Sequence, residues 1–157
     1  MEDLQLLMKR LRQKWLDEGV KLGQVASDAE IAAFEARYSV TVPEVFRAYL
    51  QIVNGMGGGH YEIDDNIICF YPLHSIKPLS EHGWKSFKQA EKHFVFADWD
   101  IWTQCFTIQL ANHSAAAPIS TVDQRPRRAA SNFAEFIALY LADAWQIIDP
   151  ETIESSE

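Results

Sequence analysis

The residues of this chain best equipped for metal chemistry are five histidines, His60, His74, His82, His93 and His113. Zinc sites usually take their ligands in close pairs such as His-x3–5-His or Cys-x2-Cys, because one helical turn or one tight loop sets the bite of the two ligands. No such pair occurs here, so the sequence predicts no metal site and no cofactor. Gly55-Met56-Gly57-Gly58-Gly59 has the glycine density of a phosphate cradle. It follows a helical pattern instead of a strand, however, and no Gly-Lys-Ser/Thr comes after it, so it reads as a flexible turn. Nucleophilic catalysis lacks a Gly-x-Ser-x-Gly elbow. Cys69 and Cys105 lie among apolar and β-prone residues with no cation beside them, which predicts buried, reduced, inert thiols.

Two carboxylate pairs remain, Asp64-Asp65 and Asp98-Trp99-Asp100. General acid–base work needs two carboxyls in one cleft, in environments that separate their pKa values. Both pairs fall between strand candidates, where Asp commonly forms turns, so they are expected to be exposed acidic surface. Arg125-Pro126-Arg127-Arg128 is the one concentrated basic stretch and reads as a solvated loop, with a clamp for phosphate or an acidic peptide as the alternative. Of the indoles in the middle of the chain, Trp102 is expected in the core by alternation with Phe106. Trp99 is expected at the surface, where indoles anchor protein interfaces.

The 157 residues are 48% hydrophobic and 23% charged, the balance of a folded globular chain able to bury a real core. Fourteen Lys and Arg against 22 Asp and Glu leave a formal charge of −8. A field of that sign repels nucleic acid and anionic lipid and favours basic partners. No apolar run reaches the roughly 18 residues of a membrane span. The opening Met1-Glu2-Asp3-Leu4 lacks the basic-then-apolar order of a secretory signal, so a cytoplasmic location is expected.

The elements that must position these side chains follow from periodicity. Leu4, Leu7, Met8, Leu11 and Trp15 form one stripe of a helix over 2–18 that Gly19 stops. Ser27 and Glu30 make a capping box for a second helix, with Ile31, Phe34 and Tyr38 on its buried face. Pro43 suits the first turn of a third, lined by Phe46, Tyr49, Leu50 and Val53 and closed by Asn54-Gly55. Strands are expected at Ile67–Tyr71, His93–Ala97, Ile101–Leu110 and Pro118–Val122. In the longest, Trp102, Phe106, Ile108 and Leu110 share a face, as in a sheet covered on one side. A last helix starts near Ser131 or Asn132 and runs towards Asp149-Pro150. Residues 151–157 read as a frayed acidic tail, and Lys77–Lys92 fits either a loop or a short helix. The order predicts a single α+β domain over 1–150, with helices packed on a mostly antiparallel or mixed sheet and a closing C-terminal helix.

Several pieces together resemble a known family. Ala29-Glu30-Ile31, Phe34-Glu35, Val42-Pro43, Phe46-Arg47-x-Tyr49-Leu50 and Asn54-Gly55 are similar to the signature of the SUKH superfamily, with Val42 where Leu is usual. Phe94–Asp98, Ala130-Ser131-x-Phe133-x-x-Phe136 and Tyr140-Leu141 resemble its later strand and closing helix. That superfamily includes yeast cell-wall assembly regulators and bacterial proteins encoded beside polymorphic toxins. The resemblance implies an α+β fold without catalytic residues and, for bacterial members, an immunity role of binding and neutralising a polypeptide toxin. The expected partner is thus a protein, a basic toxin domain, met by Glu62, Asp64, Asp65, Asp98, Trp99 and Asp100. A regulatory scaffold is the alternative, and a metal- or carboxylate-dependent hydrolase a more distant one.

Overall fold

Each N-terminal helix forms where its stripe and cap predict. In the computed structural model, which describes residues 3–84, 87–112 and 117–150, helix α1 (Leu4–Asp17) buries Leu7, Met8, Leu11 and Trp15. The Asp3 side chain accepts the Gln5 amide at 3.0 Å as its cap. Helix α2 (Asp28–Tyr38) carries the full capping box, Glu30 N to Ser27 Oγ at 3.1 Å and Ser27 N to Glu30 Oε1 at 2.9 Å. Helix α3 (Glu44–Ile52) has Pro43 at its N-cap, one place earlier than the first turn. The chain leaves it through Asn54 and Gly55, both left-handed at φ 59° and 71°. Buried Asn54 then fastens two loops, donating to Gln24 O at 2.9 Å and accepting from Leu73 N at 2.9 Å. The tail at 151–157 and His113 lie outside the described residues.

Six strands follow: β1 (Ile68–Phe70), β2 (Lys77–Pro78), β3 (His93–Trp99), β4 (Gln104–Gln109), β5 (Ile119–Val122) and β6 (Pro126–Ala130). They form one antiparallel sheet in the order β1-β3-β4-β5-β6, with β2 also pairing β3. Strand β6 corrects the reading of the arginine stretch. Arg127 lies opposite Thr121 and Arg128 opposite Ser120, and the Arg127 guanidinium reaches Asp149 at 3.2 Å and Asp123 at 3.8 Å. An edge strand tolerates proline and charge, so its sequence need not alternate. Helix α4 (Phe133–Ala142) is capped by Asn132, which accepts Glu135 N at 2.9 Å. The chain turns extended at Asp143 and resumes as α5 (Trp145–Ile148), so the one long closing helix expected is two.

The helices cover one face of the sheet, called the front here. Phe46, Tyr49, Phe70, Phe96, Phe133 and Phe136 are fully buried there. Their rings meet at 4.8–6.5 Å between centroids, mostly tilted or edge-on, the arrangement that ring quadrupoles favour. The back is covered too, against the expectation of a one-sided sheet. Residues 77–92 supply β2 and two short 3-10 turns, Leu79–His82 and Ala90–Lys92. Leu79 and Ala90 bury Val95, Cys105 and Val122, with Trp84, Phe87 and Trp102 packed around them. Trp102 is therefore not on the face of Phe106, as alternation suggested. Asp100, Ile101 and Trp102 are all left-handed (φ 53°, 50° and 69°), which breaks the strand before Gln104 and sends the indole to the back, 4.9 Å from the His82 ring. Strand β3 bulges between Val95 and Ala97, so Phe94, Phe96 and Ala97 join the front core while Asp98 faces the back.

Candidate functional site

Two of the carboxylates expected at the surface are inside. Asp64, 4% exposed, opens the turn that feeds β1. Its Oδ1 accepts Asn66 N at 2.7 Å and Ile68 N at 2.9 Å, closing the turn. Oδ2 accepts the hydroxyl of Tyr140 on α4, which in turn accepts Trp15 Nε1 of α1 at 2.9 Å. Lys14 Nζ lies 3.9 Å from the same carboxylate and 4.9 Å from the Tyr140 ring centre, and also pairs with Glu18. Burial pushes the Asp64 carboxyl up, opposed by these donors, and pushes the Tyr140 hydroxyl up strongly. Every donor here is structural, so Asp64 clamps α1 and α4 to the start of the sheet.

Asp98 is fully buried in the next-to-last position of β3. Across the ladder it faces Cys69 on one side and Cys105 on the other. Burial and this carboxylate push both thiols up to about 12, so they stay protonated, in keeping with the inert thiols expected. Tyr61 and Tyr71 donate their hydroxyls to the two oxygens, Tyr61 at 3.2 Å. Above them lies a back-face cleft of about 570 Å³ lined by His60, His74, Lys77 and His82 among others, and none of the six expected contact residues lines it. Asp64 and Asp98 are held by separate sets of donors, and their burial corrects the expectation of exposed turns. Each occupies a position where neighbouring N–H and O–H groups replace water. Among the described residues, no three His, Cys, Asp or Glu side chains group closely enough to hold a metal ion.

The other four expected residues sit at or near one end of the sheet. Glu62 is half-buried, 3.4 Å from Lys21 N. Asp65 is exposed, and its amide donates to Glu18 at 2.9 Å. Asp100 is exposed at the β3–β4 turn, where Thr103 Oγ1 donates to its carbonyl at 2.9 Å and its carboxylate at 3.2 Å. Trp99 is half-buried and meets Trp145 of α5 edge-on, at 5.9 Å between ring centroids.

Sequence reasoning missed three residues at this end. Ile67 is 42% exposed, Ile101 74% and Trp145 55%. Both isoleucines are left-handed, at φ 64° and 50°, and their turns are joined by Asp100 N donating to Ile67 O at 3.0 Å. For a β-branched residue that conformation costs roughly 1–2 kcal/mol, and here exposure leaves little burial to offset it. Apolar periodicity cannot flag such positions, because each isoleucine continues a strand pattern whose end is set by backbone conformation. Trp145 falls within the run expected as one long closing helix, a pattern that does not report its exposure.

The front helices, the antiparallel sheet and the closing helices define an α+β fold, and no helix among the described residues is long and apolar enough to cross a membrane. Residues 25–139 match the SMI1 / KNR4 family (SUKH-1), and the chain belongs to that family. The match spans the capping box at Ser27, the Asn54-Gly55 exit and most of α4. No curated protein matches the chain.

Proposed function

We propose that this protein is a non-catalytic binding module that neutralises a basic polypeptide toxin in the cytoplasm, an immunity protein. One observation carries the reading: the sheet end bearing Trp99 also bears Asp65 and Asp100, and neither carboxylate is ion-paired with any described residue. Unpaired surface carboxylates in a field of −8 steer a cationic partner, and a neighbouring indole gives it an apolar contact. The family membership supports the same reading, since the superfamily's bacterial members are mostly immunity proteins. Asp64 and Asp98 act in it as scaffold, holding the loops that present the end.

The test is co-expression with any toxin domains encoded near the gene. Restored growth and a stable complex are expected. Failure of every neighbouring toxin to be neutralised, with capture of several unrelated housekeeping proteins, would instead establish a regulatory scaffold.

A further inference from the structure

We infer that the docking surface is the apolar knob made by Ile67, Ile101, Trp99 and Trp145, and that its occupant is a polypeptide face offering an apolar pocket rimmed by Lys and Arg. This rests on the neutralisation reading above and adds to it the residues that seat the partner and the shape they require. Three observations converge. First, Ile101 is 74% exposed beside Ile67 at 42% and Trp145 at 55%, a concentration of large apolar side chains at one end of the sheet. Second, both isoleucines are held left-handed, in adjacent turns joined by the Asp100–Ile67 hydrogen bond of 3.0 Å. Asparagine or glycine would make those turns with less strain, so isoleucine adds nothing to the turn itself, and what it does add is a projecting apolar side chain.

Third, charge restricts the occupant. Segments 61–70, 98–109 and 143–149 contain no Lys or Arg. Of the cations on neighbouring elements, Lys14 is engaged by Glu18 and Asp64, and Arg128 lines a cleft with Trp145 and Asp143. Asp65, Asp100 and Asp143 are exposed around the knob. A purely apolar or acidic face would leave those carboxylates desolvated without partners, whereas a basic rim pairs with them. An apolar anchor ringed by complementary charge is the anatomy of a polypeptide interface, with the anchor carrying most of the affinity and the rim the rate of encounter.

The experiment titrates the isotope-labelled protein with an amphipathic peptide of Leu and Lys, and in parallel with one of Leu and Glu, following amide and indole signals by NMR. Shifts confined to Ile67, Trp99, Asp100, Ile101 and Trp145 are expected with the Lys peptide alone. The double variant Ile67→Asn/Ile101→Asn should bind at least about tenfold more weakly, as loss of a central anchor does. Its melting temperature should hold or rise by a few degrees, because Asn tolerates the left-handed region. Shifts centred elsewhere, equal binding of the Glu peptide, or unchanged affinity in a folded variant would overturn the inference. Toxin rescue separates the two readings. A variant that rescues as well as the wild type sinks the knob and leaves neutralisation standing. A wild type that rescues from no toxin yet shows the expected peptide shifts sinks neutralisation and upholds the knob.

Discussion

Asp64 sits where desolvation and hydrogen bonding oppose each other, and desolvation wins. Its carboxyl is therefore raised above its unfolded value, in spite of two backbone amides, the Tyr140 hydroxyl and nearby Lys14. For a group shifted upward, protonation favours the fold. Its stabilising contribution is fully present below the unfolded pKa and is lost as pH rises through the folded one. Asp64→Asn removes that dependence. The stability of the wild type minus that of the variant should thus move in the wild type's favour as pH drops from 7 towards 4. Urea unfolding of both proteins across that range measures it, and a difference that stays flat or moves the other way would show that the donors outweigh burial.

Among the elements, the exit from α3 is tightly constrained. A Cβ on Gly55, at φ 71°, would meet Tyr71 C and O at 2.4 Å and Pro72 N at 2.5 Å. Backbone atoms on that side cannot give way as a side-chain tip can. Gly55→Ala should cost upward of roughly 2 kcal/mol, combining left-handed strain with the clash. Gly83 offers the contrast: it is also left-handed, at φ 91°, but has nothing within 4 Å of the added atom. Gly83→Ala should lose only the strain, about 1 kcal/mol. Equal midpoints for the two variants in urea would refute the clash. The α elements were the legible ones, because Leu7-Met8-Leu11-Trp15 and the Ser27–Glu30 pair write stripe and cap into local sequence. Strand β6 was not, since Pro126-Arg127-Arg128 has no apolar alternation and is a strand only through its partner β5. The β3–β4 turn is legible in part: Asp100 is exposed there as its turn pattern predicts, whereas Trp99, expected at the surface, closes β3 half-buried against the front core. The burial of Asp64 and Asp98 depends on tyrosines far along the chain, and no local pattern reports that.

At the scale of the whole molecule, the charge of −8 is expected to act on encounter more than on grip. With a cationic partner the association rate should fall roughly 10- to 100-fold between low and physiological salt, while dissociation changes far less. Stopped-flow measurement with a cationic polypeptide that binds the protein checks this, and a salt-independent on-rate would remove steering from the account. The bulge in β3 bears on the same surface. Strand side chains alternate strictly, so one additional residue reverses the parity of everything beyond it. Without it, Asp98 would point its carboxylate into the phenylalanine layer and Trp99 would swing its indole to the side of the tyrosines. A single irregularity between Val95 and Ala97 thus sets both signs at once, and a one-codon deletion there would exchange the carboxylate and the indole between the two sides at the end of this strand.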